Sequence, residues 1–420
     1  MRKSKVCYCE IGFLKEFFDS RPLFIEPTEE RVQLLWVWAS FYRFLSKAAL
    51  ILDISESEFK HFLEEVDDAK NVDPSICSFN EGGNFKSWLK LINKSEGPIG
   101  FTEESDTFPN ITELEISEER ISESDDQKLN AIYLTTLDDA QCKKYSRLRG
   151  VIILNNNLAK QCGHLFKDNG HPVPSEGAND WGFLKSLKYP SLNICNTIII
   201  VDNYLFINDE KEDGEIRRGW EEKLEQNLHP ILQALLPENL DESIAFEIAI
   251  FTTQDIEHKY KSFEDQYQNI VNYLAVKRKK IKFRVNFYGK CHEAFHDRCI
   301  LTNNVWISSG RGFDIFGKTK DNTKPTSINI AFPFIQSSLL WCDGSYLNVL
   351  AQAKKIRDNR LQEPNINYWG DNNRNNRTVS YYTHKNNEER ITGNKVYANL
   401  IPSINKVYYI KRDKEGNVVQ

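Results

Sequence analysis

Residues 294–316 read AFHDRCILTNNVWISSGRGFDIF, a strand-like apolar stretch with polar residues at set intervals: His296-x-Arg298-x4-Asn303-x6-Gly310. The order has a chemical logic. A histidine at a strand end can attack phosphorus or protonate a leaving oxygen. Two residues on, on the same side of the strand, the Arg298 guanidinium can hold non-bridging phosphate oxygens bidentately. The small residues Ser308, Ser309 and Gly310 let the backbone come close to a phosphate. His296, Arg298, Asn303 and Ser309 are therefore the catalytic candidates, and Arg311 is a phosphate ligand. An arginine is not a compact, deprotonatable ammonium, and Asn303 cannot orient a histidine by charge.

Outward from this stretch, apolar runs of strand length alternate with helical and turn-rich segments, which predicts an α/β fold of two mixed α/β domains. TIIIVDNYLFI, FEIAIFTT and KIKFRVNFYG precede RCILTNNVWISSG, with helices around 220–236 and between the second and third runs. A helix, SYLNVLAQAKKIRDNRLQ, follows. Together they predict a C-terminal domain over 185–350. The N-terminal domain, 1–165, begins with VCYCEIGF, a long helix over about 29–46 and the buried strand ALILDIS. The sequence ESEFKHFLEEV reads as its next helix, and AIYLTT and VIIL flank a polar helix ending at Gly150. Residues 101–126 carry ten acidic residues against one basic and read as a linker or surface excursion. The Gly-, Pro- and Asn-rich segment 167–180 reads as a loop. Residues 351–420 form a basic, Asn-rich extension with thirteen basic and seven acidic residues.

The spacing in 294–316 follows the H-x-K-x4-D signature, and the segment resembles the phospholipase D superfamily. More closely it is similar, over about 190–350, to the phospholipase D-like domain at the C-terminus of eukaryotic MIT-domain proteins and its bacterial relatives. The residues that carry the likeness are His296-Asp297-Arg298, Trp306 and Gly310-Arg311-Gly312-Phe313-Asp314-Ile315-Phe316. The resemblance implies metal-free phosphodiester chemistry by two histidines. One motif per chain then requires a homodimer with two copies of His296 face to face. The eukaryotic members imply instead a non-catalytic module for lipid and protein partners.

Two further features bear on function. Residues 277–284 hold six basic residues in eight. Lys280, Lys282 and Arg284 alternate with apolar residues, so they are expected to share a strand face. They would either protect a solvated edge or form a phosphate track with Arg298 and Arg311. In the N-terminal half, Glu10, Asp53 and Asp138-Asp139 follow strand-like runs, as ligands of a Mg²⁺-dependent nuclease would. Residues 133–156 resemble the late half of a PIN-type nuclease. Helix caps and acidic strand ends account for the same residues without metal.

Composition bounds the rest. A net charge of −6 excludes coating of nucleic acid by bulk charge, so a nucleic-acid surface has to be local. Nine scattered cysteines without a C-x-x-C pair argue against a zinc site or a disulfide framework and for a reducing, cytoplasmic compartment. The longest apolar stretch, 34–52, is interrupted by Arg43 and Lys47, so no integral membrane contact is expected. The remaining histidines have no metal-ligand spacing, and no cofactor is expected. The Asn-, Lys- and Ile-rich composition resembles that of low-GC bacteria. The reading is a phosphodiesterase-like protein, a prokaryotic defence-type nuclease acting on nucleic acid and able to join a multi-component system. The alternatives are a non-catalytic phospholipase D-like module that binds nucleic acid, an anionic ligand or a protein partner, and a metal-dependent nuclease in the N-terminal domain.

Overall fold

The computed structural model describes, with short breaks, residues 6–61, 99–252 and 260–379, and strand fragments at 406–408, 411–412 and 418–419. His296, Asp297 and most of ESEFKHFLEEV lie outside the described residues.

The first sheet holds β1 (Val6–Cys9), β2 (Ala49–Leu52), β3 (Ile99–Phe101), β4 (Ile132–Leu134) and β5 (Ile152–Leu154) in the order β3-β2-β1-β4-β5, all parallel. Parallel strands are covered on both faces, which is why VCYC and IIL are apolar without alternation and buried throughout. Helices α1 (Ile11–Asp19) and α2 (Glu29–Leu45) pack an aromatic layer on this sheet, with Phe17 stacked on Trp38 at 4.9 Å. Helix α3 (Asp139–Arg149) starts at an Asp138 capping box and ends at Gly150, in the left-handed conformation that glycine favours.

The second sheet adds β6 (Asn169–Val173), β7 (Thr197–Val201), β8 (Phe246–Phe251), β9 (Phe283–Tyr288), β10 (Arg298–Thr302), β11 (Trp306–Ser309), β12 (Thr326–Ala331) and β13 (Tyr368–Gly370). Their order is β13-β9-β8-β7-β10-β11-β12-β6. All four apolar runs read from the sequence lie in it, with β7, β8 and β9 parallel and β10, β11 and β12 antiparallel. The fold is α/β, as expected. The loop expected over 167–180 is corrected at Asn169–Val173, where β6 pairs with β12. Its Pro172 escaped notice because proline is tolerated in an edge strand, where no ladder donor is required of it. A last short strand, β14 (Lys406–Tyr408), runs antiparallel to β3.

A polar seam joins the two sheets. Asn196 Nδ2 donates to the carbonyls of Leu129, Arg149 and Gly150 at 2.8, 3.2 and 3.2 Å. A Cβ on Gly150 would lie 2.5 Å from the Cys195 carbonyl, so glycine is required there for contact as well as conformation. Around the seam, one apolar cluster takes in residues of both sheets, among them Val6 and Ile51 of the first and Ile198 and Ile300 of the second.

Candidate functional site

Strand direction separates the charged residues. Cys299 pairs with Val201 and Thr302 with Ile198, so the start of β10 lies at the carboxyl ends of β7, β8 and β9. Arg298 is at that end, opposite Ser309. Asn303 follows the far end of β10, roughly 16 Å away at 3.3 Å per residue. There its Nδ2 donates to the carbonyls of Gly150 (2.8 Å) and Leu129 (3.2 Å), and its Oδ1 accepts from the Asn196 amide. Asn303 is a buried bridge in the seam and does not meet Arg298. The basic run is also at the far end, since Phe283 begins β9 beside Phe246. Lys280 and Lys282 precede the strand, and Arg284 lies 3.9 Å from the Glu247 carboxylate. Lys280, Lys282 and Arg284 therefore stand at the opposite end of the sheet from Arg298 and Arg311.

At the near end Arg298 lies over Tyr204, with Cζ 4.8 Å from the ring centroid. Its guanidinium donates to the Gly310 carbonyl at 3.2 Å and to the Tyr204 hydroxyl at 3.0 Å. Arg311 is exposed. Neither arginine has a carboxylate partner among the described residues. A Cβ placed on Gly310 would meet nothing within 4 Å, so open space fronts this turn. Ser309 Oγ donates to the Gly312 carbonyl at 2.5 Å and is buried, which makes it a clamp on the turn rather than a free hydroxyl.

Beneath the arginines the turn is held by buried groups. Gly312 has φ 82°, and a Cβ there would lie 2.7 Å from Asp202 Oδ2. Asp202, which ends β7, accepts from the Phe313, Tyr204 and Leu205 amides. Burial raises its pKa, and those three amides oppose the rise. Asp314 is buried among three cations, with Arg218 and Lys324 at 2.8 Å and Lys223 at 3.4 Å. Asn227 sits on a π-helical turn, Leu224–Leu228, between two short helices. Its Oδ1 accepts from the Ile315 and Phe316 amides and from Trp181 Nε1.

A family model described as the phospholipase D-like domain at the C-terminus of MIT matches residues 221–332, which include the Arg298 strand, Trp306 and the whole glycine-rich turn. The C-terminal region carries a phospholipase D-like domain. No curated protein matches the sequence.

The match begins after Asp202, Tyr204 and Trp181, three supports of the phospholipase D-like turn that the sequence reading passed over. Asp202 carried the same signal as Asp53, an acid closing an apolar run. Trp181 and Asn227 carried none, because their roles depend on contacts across long chain separations.

The N-terminal carboxylates divide. Glu10 ends β1 and accepts from Thr135 Oγ1 (2.6 Å), the Thr136 amide (2.7 Å) and Thr136 Oγ1 (2.6 Å). Asp53 ends β2 and accepts from the Ile11 amide at 2.8 Å. Burial raises the Asp53 pKa, and Glu10 adds to the rise. Both line one cavity of about 300 Å³. Asp138 instead accepts from the Gln141 amide as a helix cap, and Asp139 accepts from Asn155 and Asn157. Among the described residues no group of three His, Cys, Asp or Glu side chains could hold a metal ion, which argues against the proposed Glu10, Asp53 and Asp138 set. Cys7, Cys9, Cys142, Cys162, Cys195 and Cys299 are buried, and no described helix is long and apolar enough to cross a membrane.

Proposed function

We propose that the phospholipase D-like domain binds the phosphate backbone of nucleic acid at the strand end bearing Arg298 and Arg311. The observation that carries this reading is two arginines without carboxylate partners beside the open Gly310 turn, while the neighbouring acids Asp202 and Asp314 are satisfied by other groups. Uncompensated guanidinium groups at a rigid glycine turn suit phosphate oxygens. The test is fluorescence anisotropy with labelled single- and double-stranded DNA and RNA. Arg298→Ala and Arg311→Ala should each weaken binding on every sequence and lower the salt slope by about one. Reversing the charge of Lys280 and Lys282, at the far end of the sheet, should change little. Unaltered affinity in both arginine variants would overturn the reading.

Phosphodiester cleavage is the second reading, favoured by the placement of His296 two residues before Arg298 in the sequence. It makes the protein a metal-independent nuclease, active as a dimer because each chain holds one such motif, in a cytoplasmic, defence-type role. Cleavage that persists in EDTA and disappears in His296→Ala, with binding retained, would support it. Binding without turnover would leave the module reading alone.

A further inference from the structure

The cavity between Glu10 and Asp53 lies at the first sheet. In the order β3-β2-β1-β4-β5 the strand sequence reverses between β1 and β4, and crevices that take ligands open beyond the carboxyl ends of parallel strands at such a point. The 300 Å³ cavity is there, bounded by Glu10, Asp53, Thr135, Asn110 and the rings of Tyr8 and Phe108. Tyr8 stacks on Tyr133 at 5.2 Å and meets Phe108 edge-on at 5.6 Å, so the rings of the apolar wall pack on one another. Both carboxylates take hydrogen bonds from neutral donors, and neither has an ion-pair partner among the described residues. Two uncompensated anions repel a phosphate. They lack the third anionic ligand that a divalent ion commonly recruits. A flat, weakly hydrated cation satisfies carboxylates and aromatic faces together.

We propose that this cavity binds an organic cation, a guanidinium group, carried either by a small free molecule or by an arginine side chain of a protein partner. Isothermal titration of the full chain with butylguanidinium and with its neutral isostere butylurea tests this. Butylguanidinium should bind saturably at one site per chain and butylurea should not. Asp53→Asn keeps the shape and an acceptor for the Ile11 amide and should weaken butylguanidinium about tenfold, the loss of one charged partner. If that variant misfolds, the contrast between the two probes on the native chain still decides. A Gly-Arg-Gly peptide that binds more tightly than butylguanidinium identifies a protein side chain as the source, and weaker peptide binding identifies a free molecule. Equal binding of the two butyl probes, no binding of either, or binding of Mg²⁺ with neither probe would overturn the proposal.

Discussion

Gly312 and Gly310 are two residues apart, yet substitution should affect them differently. At Gly312 a positive φ and the 2.7 Å approach of Asp202 both oppose a Cβ, and backbone strain of this kind costs about 1–3 kcal/mol. Gly312→Ala should lower urea stability by that amount and weaken nucleic-acid binding by displacing the turn. Gly310→Ala meets open space and should leave stability within about 0.5 kcal/mol. His229 provides a pH test at the same scale. It stacks on Tyr273 at 3.8 Å, its Nε2 meets Asn269 at 3.1 Å, and burial lowers its pKa to about 4. The unfolded chain takes up the proton first, so stability should fall as pH drops from roughly 6.5 towards 4. With partial solvent screening the loss should not exceed about 2 kcal/mol. His229→Gln should flatten that part of the denaturation profile. The spacing from Arg298 to Gly310 was enough to find the turn. It gave no sign that Ser309 and Asp202 hold the turn from below, because a hydroxyl or carboxylate looks the same in sequence whether it faces a ligand or a backbone amide.

Among the elements, apolar runs disclosed the central strands of both sheets, since strands buried on two faces admit few polar residues. Their directions were not disclosed. Whether Arg284 and Arg298 share a sheet end depends on β9 and β10 pointing oppositely, and no local pattern encodes that. The same ambiguity made Asn303 a catalytic candidate, although it follows β10 at the seam. Asn303→Ala should orphan the buried Asn196 amide and cost about 1–3 kcal/mol while leaving the anisotropy of bound nucleic acid unchanged. A loss of binding or cleavage at native stability would return Asn303 to the site. The Glu10 and Asp53 cavity was half legible, as acids at strand ends. Its aromatic wall includes Phe108, inside a segment whose acidity suggested a linker.

At the scale of the molecule, the two sheets are joined through Arg377, a fully buried residue of the basic extension. Its guanidinium donates to Asn196 Oδ1 at 2.9 Å and lies 3.5 Å from the Glu247 carboxylate in the second sheet, while its Nε is 3.4 Å from Asp126 beside the first. The Glu247 carboxylate also accepts from the Arg377 backbone amide. Sequence could not single out one arginine among thirteen basic residues in this extension, because its partners lie in distant parts of the chain. Two sheets that share a continuous core and a charged bolt should unfold together, so tryptophan fluorescence and far-ultraviolet circular dichroism should follow one urea transition. Arg377→Ala leaves two carboxylates facing a buried gap, and breaking a buried ion pair from one side costs about 3–5 kcal/mol. The variant should therefore unfold at lower urea, and its two probes should separate if the seam is what couples the sheets. Coincident transitions at unchanged midpoint would show that the shared apolar core alone holds the molecule together.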